Sequence, residues 1–201
     1  ITRLVLAALS GVLMALSFPR YGHPLVAWVS LVPLACAIGL DRPTDARDAW
    51  RRGLTAGLVT GTIGFAGTIY WTREVVQQFG GLAGPLAVIA MLLLALYMAI
   101  YTGVAAGVAG LACRRVGAAG LVVLTASWVA AEFARGWILG GFPWTPIGSS
   151  QATVLPVAQL ASLAGVYGLS ALVALVNALV AISLIGPARA RASAALAAAV
   201  L

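Results

Sequence analysis

The stretch from residue 86 to residue 113 contains no charged side chain, and it outlasts the roughly 20 residues that a helix needs to cross the hydrocarbon core of a bilayer. Similar apolar runs, separated by polar breaks, fall near residues 4–18, 25–40, 53–71, 118–139 and 157–185, and another starts at about Ala192. Period-2 alternation over short segments, which a membrane barrel requires, is missing. With 62% hydrophobic and 8% charged residues, the chain has too little polar surface to coat a water-soluble globule. The expected fold is all-α: a polytopic transmembrane helix bundle of six to seven spans, forming one domain over residues 1–201, with the seventh span cut short at the C-terminal end. The first two runs are short for full crossings. They are expected to form a tight hairpin about "FPRYGHP", where Pro19, Gly22 and Pro24 break the helix, or one of them is re-entrant.

The net charge of +7 comes from arginine alone, since the chain has no lysine. These arginines sit at the ends of apolar runs and form no patch of the kind that binds nucleic acid. Counted on alternate sides, Arg3, Arg42, Arg47, Arg51, Arg52, Arg114, Arg115, Arg189 and Arg191 share one face of the membrane, against Arg20, Arg73 and Arg135 on the other. The positive-inside rule then puts the N-terminus in the cytoplasm. "FPRYGHP", "TREVVQQFGGLAGP" and "GGFPWTPIGSSQ" face outward, as does whatever follows Leu201.

Within the runs, Gly53, Gly57 and Gly61 recur every fourth residue, followed by Gly64 and Gly67, and Gly103, Gly107 and Gly110 repeat the pattern in the next span. Such stripes let helix backbones approach closely and predict tight packing. Tyr97 and Tyr101 share a helix face as bundle core. Asn177 is expected to make an interhelical hydrogen bond. Arg73 and Glu74 form an interfacial pair, and the lone loop histidine, His23, has no acid or nucleophile beside it. Cys36 and Cys113 lie far apart in sequence without a histidine cluster to suggest a metal site, which points to inert membrane-helix residues. No metal and no cofactor are expected.

Glu132 and Arg135 stand three apart and so share a helix face. A carboxylate inside a span costs roughly 2.5–3.5 kcal/mol, and a neighbouring guanidinium offsets part of that. The pair is read as structural, fixing its helix beneath the loop that follows, with Arg135 near enough to the interface to snorkel. That loop, "RGWILGGFPWTPIGSSQ" at 135–151, breaks the helix at Gly140, Gly141, Pro143 and Pro146. It carries Trp137, Phe142 and Trp144, which favour the headgroup layer. Irregular backbone at this depth needs shelter, and "FGGLAGP" at 79–85 is the expected neighbour. No nucleophile, base and orienting group can be assembled from these residues, so no catalytic residue is expected in this chain.

At residues 70–108 and 127–151 the sequence resembles bacterial apolipoprotein N-acyltransferase, through FGG-x-x-GP, then Y-x-x-x-Y-TG, then E-F-x-RGW-x-x-x-GFPW. Weaker likeness covers nearly the whole chain. The resemblance implies the membrane part of a bacterial inner-membrane enzyme of lipoprotein maturation, multi-pass, with its active site facing the periplasm. It implies a nitrilase-like periplasmic domain after the seventh span, holding a Glu-Lys-Cys triad whose cysteine takes an acyl chain from a phospholipid and passes it to the α-amino group of a diacylglyceryl-modified apolipoprotein. A thiolate attacks an ester readily and the thioester acylates an amine readily. None of that triad is present, so the chain alone is expected to be inactive. The bundle's implied tasks are to dock the soluble domain and to house the lipid substrates, with Phe79, Gly80, Gly81, Gly141, Phe142, Pro143 and Trp144 forming the membrane wall of the site. Where family members commonly read G-Y-S-Q after the tryptophan loop, this chain has Gly148, Ser149, Ser150 and Gln151. The alternative is a small-molecule membrane transporter or channel, favoured by the glycine stripes and the intramembrane Glu–Arg pair, but opposed by the lack of a detectable inverted repeat.

Overall fold

Helix follows helix through the computed structural model, which describes residues 1–18 and 22–200. Pro19, Arg20 and Tyr21 of the first break, and Leu201, lie outside the described residues. The long elements are α1 (Thr2–Leu16), α4 (Ala46–Thr68), α6 (Gly84–Val116), α7 (Val122–Arg135), α9 (Ala161–Ile185) and α10 (Ala188–Val200). Between α1 and α4 come a 3-10 turn (Pro24–Val26) and the short helices α2 (Ala27–Ser30) and α3 (Val32–Gly39). Helix α5 (Thr72–Gln78) precedes α6, and α8 (Leu155–Ala158) precedes α9. No strand occurs among the described residues.

Local chemistry sets the ends. Asp45 opens α4 by accepting from the Asp48 backbone N–H at 2.6 Å, and Asp48 in the first turn complements the helix dipole. Pro85 starts α6, where its missing N–H costs nothing, and Arg114 and Arg115 occupy the last turn before Gly117 stops the helix. The break between α2 and α3 would leave backbone groups unpaired in an apolar interior. Asn177 of α9 resolves this: its Oδ1 accepts from Leu31 N at 2.7 Å and its Nδ2 donates to Ala27 O at 2.9 Å.

Two stretches are long and apolar enough to cross a membrane, Gly84–Arg135 and Ala161–Ile185. The first folds back on itself at the 3-10 turn Gly117–Leu121, so α6 and α7 run antiparallel, joined midway by Ser127 Oγ donating to Ala105 O at 3.0 Å. Helix α10 starts at Ala188, earlier than the expected seventh span at Ala192, because Arg189 and Arg191 are accommodated inside the helix.

The glycine stripes meet each other. A Cβ on Gly57 would lie 2.5 Å from the Thr102 carbonyl, and one on Gly110 would lie 2.7 Å from that of Ala49, so α4 and α6 pack backbone against backbone. At that separation many small dispersion contacts accumulate where lipid gives no hydrophobic drive. Across α4, Thr60 Oγ1 donates to Ala7 O at 2.9 Å and seats α1. Phe65, Met14, Leu31, Leu34, Met98, Leu124 and Val173 fill the buried centre.

The two ends of the bundle differ in kind. At one, Arg3 bonds Asp41, and Arg52 reaches Asp48 at 2.6 Å, while the Arg42 guanidinium covers Gly117. The other end gathers aromatic rings. Helix α6 overreaches α7 there: Tyr97 OH donates to Ile138 O at 2.9 Å, so the residues from Gly84 to Leu96 extend beyond the tip of α7.

Candidate functional site

The segment that follows α7 divides into two unlike halves. Residues Trp137, Ile138, Leu139 and Trp144 are exposed, whereas Ile147, Gly148, Ser150 and Gln151 are buried. Gly141, at φ +74°, turns the chain back so that Phe142 N donates to Arg135 O at 2.8 Å, a conformation that L side chains avoid. Leu139 and Thr145 adopt positive φ without being glycine, the second directly after Trp144. Each such residue costs on the order of 1–3 kcal/mol and persists only where its surroundings over-determine it.

At Thr145, Glu132 and Arg135 supply that surrounding. The carboxylate accepts from Trp128 Nε1 at 2.9 Å and from the Ile147 N–H at 2.7 Å. The guanidinium donates to the Trp144 carbonyl at 3.0 Å and lies 4.8 Å from the centre of the Phe65 ring. The expectation of a direct ion pair is thereby corrected. The two side chains attract one another across the helix face, yet among the described residues they form no ion-pair contact, and each holds one side of the Thr145 turn. Nor does Arg135 snorkel. It is 2% exposed, because its partners lie inward, on Phe65 and the loop backbone.

The buried half is locked to helices distant in sequence. Gly148 N donates to Ser170 Oγ at 3.0 Å, and a Cβ at Gly148 would meet the Val166 carbonyl at 2.5 Å. Gln151 accepts from Trp28 Nε1 at 3.1 Å and donates to Pro24 O at 2.9 Å. Shelter for the broken backbone comes from α2, its preceding turn and α9, not from 79–85 as expected. That second loop is itself exposed, with Phe79 at 84% and Gly81 at φ +65° with open space about it. Its outward position follows from α6 overreaching α7, which carries the start of α6 away from the 141–144 turn.

Of the residues predicted to wall a site, Trp144 and Pro143 are exposed, Gly141 and Phe142 are half-buried, and Phe79, Gly80 and Gly81 are exposed on the α5–α6 turn. Trp144 meets Trp71 edge to face at 5.6 Å, and Phe142 lies 6.2 Å away. Phe133 joins Tyr167 at 5.7 Å and Trp137 at 6.2 Å. Sequence reasoning missed Trp71, Trp28 and Ser170 as partners of this loop. Asn177 and Ser170 recur seven apart on α9, a spacing that could have marked a polar stripe facing the breaks.

The other candidates resolve as structure. Tyr97 and Tyr101 share a hydrogen bond of 2.8 Å. His23 Nδ1 accepts from Leu25 N at 3.3 Å and caps the 3-10 turn. Arg73 and Glu74 pair at 3.7 Å, both exposed, a contact worth little. Cys113 is buried and Cys36 half-buried; both are free.

A family model described as the apolipoprotein N-acyltransferase N-terminal domain matches residues 10–179. Among curated proteins, the apolipoprotein N-acyltransferase of Geobacter metallireducens is 38% identical over 157 residues, covering 78% of this chain and 29% of that protein. That of Verminephrobacter eiseniae is 37% identical over 144 residues, covering 69% and 26%. The Shewanella oneidensis protein of the same description is 34% identical over 164 residues, covering 79% and 30%. The chain thus spans less than a third of the length of these relatives.

Proposed function

Because this chain belongs to the apolipoprotein N-acyltransferase family, we propose that it is the membrane portion of an enzyme that transfers a phospholipid acyl chain to the α-amino group of a diacylglyceryl-modified apolipoprotein. It crosses the bacterial inner membrane six to seven times, with its N-terminus in the cytoplasm. Its arginine-rich end faces inward and its aromatic end faces the periplasm. The aromatic end docks a nitrilase-like domain and presents both lipid substrates to it, the acyl donor and the lipoprotein. The family match takes away the ground for a transporter or channel.

One observation carries this reading. Trp144 stands exposed on a strained turn that two buried charged side chains hold from beneath. An aromatic anchor that only sat in the headgroup layer would need no such support. A side chain that must meet a reacting lipid in fixed geometry does, since small misplacements cost large factors in rate.

The test is Trp144→Ala in the full-length protein, with abundance and N-acylation measured together. N-acylation falls about tenfold or more while abundance stays near wild type. Equal losses of both would reduce Trp144 to an anchor. A topology reporter fused just past position 145 reports from the periplasm, and a cytosolic signal would reverse the orientation.

A further inference from the structure

The outer surfaces of α6 and α7 do not close on each other along their whole length. Between them lies a trough of about 700 Å³, with Ile100 and Val104 on one wall and Ala126, Ala130 and Ala134 on the other. Small residues on α7 opposite branched ones on α6 leave the groove between them lined almost wholly by apolar side chains. At the aromatic end it stops against Tyr101, whose hydroxyl is tied to Tyr97, and against Ile138. Toward the other end it shares Val108 and Val123 with a further space of about 240 Å³ that runs to Arg115. From Tyr101 to Arg115 the helix rises about 21 Å, so the two adjoining spaces together extend over more than half of a hydrocarbon core of about 30 Å.

The two ends of the trough are chemically unequal. At the tyrosine end the hydroxyls of Tyr97 and Tyr101 already have partners. The other end is cationic: Arg115 is exposed at the last turn of α6, and no carboxylate pairs with it among the described residues. The acids at this end have other partners: Asp41 pairs with Arg3 and Arg52, Asp48 with Arg52, and Asp45 caps α4 through the Asp48 N–H. An apolar slot between two spanning helices, ending in an unpaired guanidinium at the arginine-rich face, has the complementarity of an anionic amphiphile and of basic interhelical pockets that hold acidic headgroups.

We propose that the α6–α7 trough binds one anionic phospholipid, with an acyl chain lying along Val104, Ala126 and Ala130 and the phosphate-bearing headgroup on Arg115. This lipid sits with its head at the opposite end of the bundle from Trp144. It is therefore separate from the acyl donor of the proposed reaction, and the proposal stands whether or not that reaction is the right one.

The experiment reads lipid retention, not acylation. The full-length protein is reconstituted into nanodiscs of phosphatidylethanolamine with phosphatidylglycerol as the minor component, released, and weighed by native mass spectrometry. The wild type keeps one phosphatidylglycerol in preference to phosphatidylethanolamine. Arg115→Gln lowers that retention about fivefold, the worth of one cation near a lipid headgroup, and Arg115→Lys restores it. Ala130→Leu, which narrows the slot without touching charge, also lowers it, whereas Arg47→Gln at the same end leaves it unchanged. Equal retention of the two lipids, or an equal loss in Arg47→Gln, would overturn the site in favour of a general attraction to the basic face. Undiminished retention in both Arg115→Gln and Ala130→Leu would also overturn it.

Discussion

The two halves of the segment after α7 differ in residue type and are used in opposite ways. Residues 137–145 bring two tryptophans to the surface, with Leu139 and Thr145 at positive backbone angles that such side chains rarely adopt. Residues 146–151 bury Ser150 and Gln151 against α2, its preceding turn and α9 and give nearly every polar group a partner. Polarity alone would have placed them the other way round. Inside a membrane bundle, what decides is whether broken backbone can be paired, so the small polar residues go where the chain turns inside the protein and the rings go where it meets the headgroups.

That contrast can be broken most severely at its hinge. Glu132→Ala leaves both the Trp128 and Ile147 N–H groups without an acceptor and is expected to cost about 3–5 kcal/mol, the scale for removing one member of a buried charged network; folded yield and thermal melting in detergent report it. Gly148→Val drives a side chain into the Val166 and Ser170 backbone and costs about 1–3 kcal/mol by overpacking, read from the same melting curves. Gln151→Leu keeps the volume but strands Trp28 Nε1 and the Pro24 carbonyl, for a loss of about 1–2 kcal/mol. A melting temperature as low as that of Glu132→Ala would mean that the buried half, not the hinge, organises the loop.

Thr145→Gly sharpens the contrast from the other side. It removes a side chain from a left-handed position and a buried hydroxyl without a partner, so stability rises by about 1 kcal/mol or holds level. If activity falls while stability does not, the strain belongs to the function of the exposed half. Trp144→Ala is the smallest change in stability, about 1 kcal/mol or less, the worth of its edge contact with Trp71.

Much of this was legible in the sequence, for reasons that local rules explain. Glycine spacing marked which faces of α4 and α6 pack closely, because a helix repeats every 3.6 residues wherever it lies, although not which helix each face meets: Gly64 and Gly67 pack on α1. Glu132 and Arg135 were placed on one face by the same rule. Spacing sets a face and says nothing of what the face meets, so the pairing partner was misread: the loop backbone, folded beneath by Gly141, competes better for both groups than they do for each other. The break inside residues 25–40 was hidden for a related reason. Val26–Gly39 reads as unbroken apolar helix apart from Pro33, and the residue that makes the interruption at Leu31 tolerable, Asn177, lies 146 positions away. The shelter for residues 146–151 likewise depends on Trp28 and Ser170, contacts that only the assembled bundle defines.

The overreach of α6 has its own consequence. Its 33 residues make a rod of about 50 Å, against a hydrocarbon slab of about 30 Å. Leu86, Ile89, Leu92, Leu93 and Leu96 look outward from its upper third. A greasy mast of that height cannot stand bare in water: it leans, thickens the leaflet around it, or is clad by another part of the protein. In the proposed orientation, each of these outcomes makes the membrane locally uneven around the bundle's aromatic end, so the length of one helix would shape the bilayer there.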